Sequence, residues 1–140
     1  MLKLIENTMH FVEDLSKSVV KKSKSWGDLY IEECLNSRDV DPFDSEWVKT
    51  DKEIQKLISI EKNVANRISK LENSVFISII KNTGSSDLAG YISEDFELIA
   101  QGLMSAYSSE FFFSIINTYI KGKIPDNSME IIKLNPTMLY

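Results

Sequence analysis

TDKEIQKLISIEKNVANRISKLENSVFISIIKN, running from Thr50 to Asn82, is the stretch that decides the fold class. Apolar residues recur at Ile54, Leu57, Ile58, Val64, Ala65, Ile68, Leu71 and Val75, the three-and-four spacing of one helical face. Lys56, Lys62, Arg67 and Lys70 fall on the opposite side. Thr50-Asp51-Lys52-Glu53 reads as a helix start, in which hydroxyl and carboxylate satisfy each other's orphan backbone N–H groups. No glycine or proline interrupts the pattern before Gly84. Left unbroken, such a helix would span roughly 48 Å at 1.5 Å per residue. A compact chain of this size has a radius of gyration of only about 14 Å. The sequence therefore predicts a kink near Asn73-Ser74, with Val75–Ile80 beyond it in the core.

Working outward toward the N-terminus, Asn36–Ser45 is the clearest loop, with Asp41-Pro42 imposing an extended or turned backbone. Phe43 and Trp47 are expected to pin it to the core. Before it, Ser25–Ser37 holds a shorter helix through Trp26, Leu29, Tyr30 and Cys34. Leu2–Lys24 reads as an amphipathic helix with Ile5, Met9, Val12, Leu15 and Val19 on its buried stripe. Lys17, Lys21, Lys22 and Lys24 gather in its last turns, where cations complement the helix dipole.

In the other direction, Gly84 supplies a left-handed cap and Ser86 or Asp87 starts a short helix over Leu88–Ile92. Ser93 reads as the next N-cap, with Glu94 and Asp95 in the first turn and Phe96, Ile99, Ala100, Leu103 and Tyr107 facing inward. Ser109 caps a helix from Glu110 to Lys121 that is apolar around most of its circumference and ends at Gly122 and Pro125. Ser128–Leu134 fits a helical turn or a strand, and Asn135-Pro136 begins a tail. The whole is an all-α single helical domain, residues 1–140, of five to six helices around a long, kinked central helix.

Composition narrows the classes. An apolar fraction of 43% and a charged fraction of 26% are those of an ordinary globular protein. The lone cysteine, Cys34, allows no internal disulfide and no cysteine-based zinc site. Met1-Leu2-Lys3-Leu4-Ile5 meets Glu6 at once, without a signal-peptide apolar core, so a cytoplasmic protein is expected. Leu98–Ile120 carries one charge and has the length of a membrane span, yet Gln101, Ser108, Ser109, Glu110 and Asn117 would be costly in lipid. Buried core helices are the better reading, and no membrane association is expected.

No catalytic signature emerges. There is no phosphate-binding glycine loop, no G-x-S-x-G and no H-E-x-x-H, and His10 is the only histidine. Glu6, His10 and Asp14 have metal-clasping i, i+4 spacing but read better as a solvated face. Asp39, Asp41, Asp44 and Glu46 lack the glycine of a calcium loop, and Phe43 occupies a ligand position. Glu32 and Glu33 are adjacent on a helix and point about 100° apart, so they form no dyad. Cys34 reads as a buried structural thiol. The chain is expected to be no enzyme and to need no cofactor or metal.

Charge is the informative feature. The net charge is −5, and Asp28–Glu53 holds nine acids against Arg38, Lys49 and Lys52, a balance of −6. Thr83–Ile120 holds five acids and no Lys or Arg. Capping accounts for Asp51, Glu94 and Asp95 but poorly for Asp39, Asp41 and Asp44. Clustered carboxylates among aromatics suit a basic protein partner rather than nucleic acid. In its size, single-domain layout, missing catalytic set, lone cysteine and Asp28–Glu53 acid cluster, the chain resembles the immunity proteins of bacterial polymorphic-toxin and contact-dependent inhibition systems. That resemblance implies a stoichiometric inhibitor of a toxin domain, a nuclease being one candidate. Glu32, Glu33, Asp39, Asp41, Asp44 and Glu46 would then meet the partner, with Phe43 or Trp47 as aromatic anchor. A homo-oligomeric helical adaptor using spare apolar surface is the alternative.

Overall fold

The computed structural model describes residues 2–134. Among them the regular structure is all helical: α1 (Leu2–Ser23), α2 (Asp28–Arg38), α3 (Phe43–Leu57), α4 (Lys62–Thr83), α5 (Ser86–Met104) and α6 (Glu110–Ile120). The all-α reading holds, as do the first two helices and the last to within a few residues.

The helical stretch 50–82 breaks elsewhere than predicted. The break lies at Ile58-Ser59-Ile60-Glu61, where Ile58 turns extended at φ −71° and ψ 131°, and α4 then runs uninterrupted through Asn73-Ser74. The apolar rhythm already slips there: Ile58 and Val64 are six residues apart, off the three-and-four spacing, and β-branched Ile58 and Ile60 flank the slip. Length did force a division, but the phase change in the stripe chose the position. Thr50 is not a helix start either. It lies inside α3, 2% exposed, and the Asp41 carboxylate serves that helix's first turn by accepting from the Ser45 N–H and hydroxyl.

The second correction concerns α5. Ser85 accepts from the Leu88 N–H at 3.1 Å and caps one continuous helix through to Met104. Ser93, predicted as a new N-cap, is buried within it and donates back to the Gly90 carbonyl at 3.0 Å, an alternative partner that serine hydroxyls find inside helices. Two other punctuation marks read correctly. Gly84 adopts φ 73° at the end of α4, and Ser109 accepts from the Phe112 N–H at 3.1 Å to start α6.

Helix α5 is the hub: it packs most extensively on α4 and also touches α1, α2 and α3. Leu88, Ala89, Ile92, Phe96, Leu98, Ile99 and Ala100 are all essentially buried along it. Helix α6 closes the core with Phe112, Ile115 and Tyr119, and Gly102 lets the Phe112 ring approach α5. Helix α1 delivers Met9, Val12, Leu15 and Val19 as expected and is clamped to α4 by Arg67, which donates to both Glu13 oxygens at 3.0 and 2.9 Å and to Glu6 at 2.9 Å. Ser128–Leu134 forms neither helix nor strand. Its Ile132 N–H donates to the Ser114 hydroxyl and its Leu134 N–H to Glu110, both at 2.8 Å. The Asn135-Pro136 tail lies outside the described residues. No described helix is long and apolar enough to cross a membrane, and the Leu98–Ile120 stretch is divided by the turn between α5 and α6.

Candidate partner-binding face

Beneath the acid-rich segment lies a buried ion pair. Arg38, at the end of α2, donates from Nη1 and Nη2 to the two oxygens of Asp95 on α5, at 2.7 and 2.8 Å, with side-chain exposures of 4% and 0%. The Trp47 indole N–H and the Tyr119 hydroxyl also donate to Asp95, at 2.8 and 2.5 Å, and Arg38 Nη1 reaches the Pro125 carbonyl at 3.2 Å. The guanidinium sits between the rings of Phe43 and Tyr91, 4.7 and 4.8 Å from their centroids. Burial works against its charge, and the Asp95 carboxylate outweighs burial, holding the guanidinium above its ordinary range. Burial and then the Asp95 charge hold the Tyr119 phenol well above its own.

This pair removes Arg38, the only arginine between Asp28 and Glu53, from the surface. The segment's outward balance becomes nine acids against Lys49 and Lys52, that is −7. The sequence carried a signal for the pair: Asp95 sits between Ile92 and Ile99 on the inward stripe of α5, where a carboxylate needs a partner.

The fold also joins the two acidic regions that are separate in sequence. Asp39, after α2, accepts from the Tyr91 hydroxyl on α5 and, with Asp87 and Glu94, lines a cleft of about 220 Å³. That hydrogen bond, reinforced by burial, pushes the Tyr91 phenol to about 12. Glu94 is raised by burial and then by neighbouring negative charge, Asp95, Glu97 and Asp51 among it. Glu97 rises further, to about 7, through a hydrogen bond with Glu72 of α4, burial, and the charges of Glu72 and Asp51. Asp39 at the end of α2, Asp51 on α3, Glu72 on α4, and Asp87, Glu94 and Glu97 on α5 thus form one acidic face. No ion pair among the described residues engages any of them.

The candidate residues scatter differently from the sequence expectation. Asp39 belongs to this face. Asp41 is occupied with Ser45 at the start of α3. Asp44 lies along a groove with Lys49, Lys52 and Lys56, and Glu46 lines another with Glu53, Tyr107 and Phe111. Glu32 and Glu33 are exposed on α2. Phe43 is 3% exposed, packed edge-on against Phe111 at 5.2 Å, and Trp47 is half-buried with its N–H committed to Asp95. Both rings pin the loop to the core, and neither stands free beside the acids. Sequence reasoning missed Glu72 and Asp51 as members of the face because helix spacing alone does not reveal which helices are neighbours.

Away from this face, His10 is 64% exposed and 3.7 Å from Glu6, whose other oxygen is held by Arg67. Cys34 is buried, and burial, with Asp126 nearby, pushes its thiol to about 12, far from a nucleophile's range.

Residues 10–126 match the sequence model of a family described as Immunity protein PIM1. No individually curated protein matches the chain.

Proposed function

The chain belongs to the Immunity protein PIM1 family, and from that premise we propose that it neutralises a cognate toxin by direct, non-catalytic, one-to-one binding to a basic surface of that toxin. The observation that carries the reading is the acidic face: six carboxylates gathered from the end of α2 and from α3, α4 and α5, unmatched by cations and held with raised pKa at Glu94 and Glu97. Charge concentrated this way costs stability in the isolated chain, and cationic side chains of a partner would relieve the cost. A nuclease is the toxin class that best fits, because a cleft that binds nucleic acid is itself cationic. The exposed acids Glu32, Glu33, Asp41 and Asp44 and half-buried Glu46 extend the negative potential and would steer encounter rather than anchor the complex.

The partner is identified by pull-down with the product of the neighbouring gene, and association is followed by surface plasmon resonance at low and physiological salt. The expected result is a fast, salt-sensitive association rate. Replacing Asp87 and Glu94 by Lys, with Asp39→Asn, should slow association by at least about tenfold while leaving the circular dichroism spectrum unchanged. Unaltered kinetics in that variant would move the interface off this face. A complex with two copies of this chain and no toxin would favour the oligomeric-adaptor reading.

A further inference from the structure

On the side of the molecule where α1 and α6 end, a cavity of about 570 Å³ opens between these termini, α2 and the segment after α6. That volume falls in the range of pockets that hold small organic ligands. Its lining divides into three chemically distinct parts.

The inner wall carries a carboxylate without a cation. Asp126 is 6% exposed, and its Oδ1 accepts from the N–H and hydroxyl of Ser128 at 2.8 and 2.6 Å. Among the described residues no Lys or Arg lies within ion-pair distance of either oxygen, and the Cys34 thiol is its hydrogen-bonding neighbour. Burial raises the Tyr30 phenol and the Cys34 thiol beside it, each to about 12, and the Asp126 charge adds to both. A carboxylate with no cation paired to it can accept a cationic group from a ligand.

The side wall is aromatic and fixed. The Trp26 N–H donates to the Gly122 carbonyl at 3.2 Å, and the Tyr30 hydroxyl accepts from the Ile124 N–H at 2.9 Å. The two rings, 6.3 Å apart and tilted by 57° to each other, both line the cavity. Such faces attract cations and stack on planar groups.

The mouth is cationic. Lys22, Lys121 and Lys123 stand around it, and only Lys121 is paired among the described residues, with Glu130 at 2.7 Å. Gly122 leaves room for the Lys22 stem beside it: a Cβ there would lie 3.1 Å from the Lys22 Cγ. An anion alone would face Asp126, and a cation alone would have to pass the lysines.

From these three parts we propose that the cavity binds a small zwitterion, its cationic nitrogen against Asp126 and the Trp26 and Tyr30 rings, and its anionic group against Lys22 and Lys123. A free amino acid and an amine-bearing phosphate ester share this chemistry. The site is separate from the acidic face and does not depend on toxin binding.

The test is calorimetric titration of the intact chain with matched probes. L-phenylalanine is compared with phenethylamine, which lacks the carboxylate, and with 3-phenylpropanoate, which lacks the amine. Phosphoethanolamine is compared with ethanolamine and with inorganic phosphate. At least one zwitterion should bind at least about tenfold more tightly than both of its half-molecules, since each half forgoes a charge-assisted contact. Whichever series responds identifies the source. Asp126→Asn, which keeps the acceptor for Ser128, should weaken that binding by about tenfold or more. Should that variant fold poorly, the exposed pair Lys22→Ala with Lys123→Ala should weaken binding severalfold with an unchanged melting temperature. Absence of heat for both zwitterions, a half-molecule that binds as well as its parent, or full binding by the double-lysine variant would each overturn the assignment.

Discussion

At the scale of single residues, the molecule turns on Arg38 and Asp95. Two charges withdrawn from water in one bidentate contact contribute little net stability, because desolvation offsets their attraction. Removing one partner is a different matter. Asp95→Ala leaves Arg38 buried and unpaired and strips Trp47 and Tyr119 of their acceptor, so it should cost about 3–5 kcal/mol in urea unfolding. The double variant Arg38→Met with Asp95→Leu should recover most of that loss; a double variant as unstable as the single one would mean that the hydrogen bonds of Trp47 and Tyr119 carry the energy. Arg38→Lys should behave like a deletion, since an ammonium can neither fork onto a carboxylate nor stack between Phe43 and Tyr91. Gly102 poses the complementary problem of space. A Cβ there would lie 2.4 Å from the Phe112 ring, an atom of a buried side chain with nowhere to retreat. Gly102→Ala should therefore destabilise by about 1–3 kcal/mol despite the better helix propensity of alanine, as read from the same unfolding curves.

At the scale of elements, helices were legible wherever one periodic stripe ran between two recognisable ends. Helix α1 declared itself through Met9, Val12, Leu15 and Val19, and α6 through Ser109 at its start and Gly122 just beyond its end. Legibility failed where a residue type had two uses. Ser93 looks like a cap, yet the same hydroxyl also bonds back to a carbonyl one turn earlier, and burial decided between them. Thr50 offered the same ambiguity. The acidic face was half legible: local acid density marked the two segments that hold Asp39, Asp51, Asp87, Glu94 and Glu97, but only the packing of α3 and α4 against α5 could join them and bring in Glu72. That packing carries a pH signature. Glu97 is raised from its ordinary value to about 7 in the folded chain. An acid raised on folding favours the folded state fully below its unfolded value, and that contribution is lost as pH rises through the folded one. The melting temperature should therefore fall as pH increases from about 4.5 to about 7 and level off above. Glu97→Gln should flatten the slope within that window, leaving the part that raised Glu94 contributes, whereas an equally steep slope in the variant would assign it to another group.

At the scale of the whole molecule, a neutralised ion pair lies beneath a face whose charge is not neutralised. Arg38 and Asp95 cancel inside, while six carboxylates on one face have no cationic partner among the described residues. A face that existed for stability would weaken the protein when neutralised; a face kept for a partner should do the reverse. Neutralising Asp87→Asn and Glu94→Gln together relieves like-charge repulsion in the free chain. Each exposed repulsion is screened and contributes about 0.5 kcal/mol or less. For a chain of this size the melting temperature should rise by roughly 1–3 °C. Added salt should raise the wild-type melting temperature in the same direction, by screening the same repulsion, and should do so less in the neutralised variant. Association with the cognate toxin should move oppositely: slower in the variant, slower in salt, with the variant's rate less salt-dependent than the wild type's. Differential scanning fluorimetry and stopped-flow association on the same two proteins measure both quantities. Opposite signs are the expected outcome. A variant that is less stable and binds at the native rate would make these carboxylates structural and remove them from the interface.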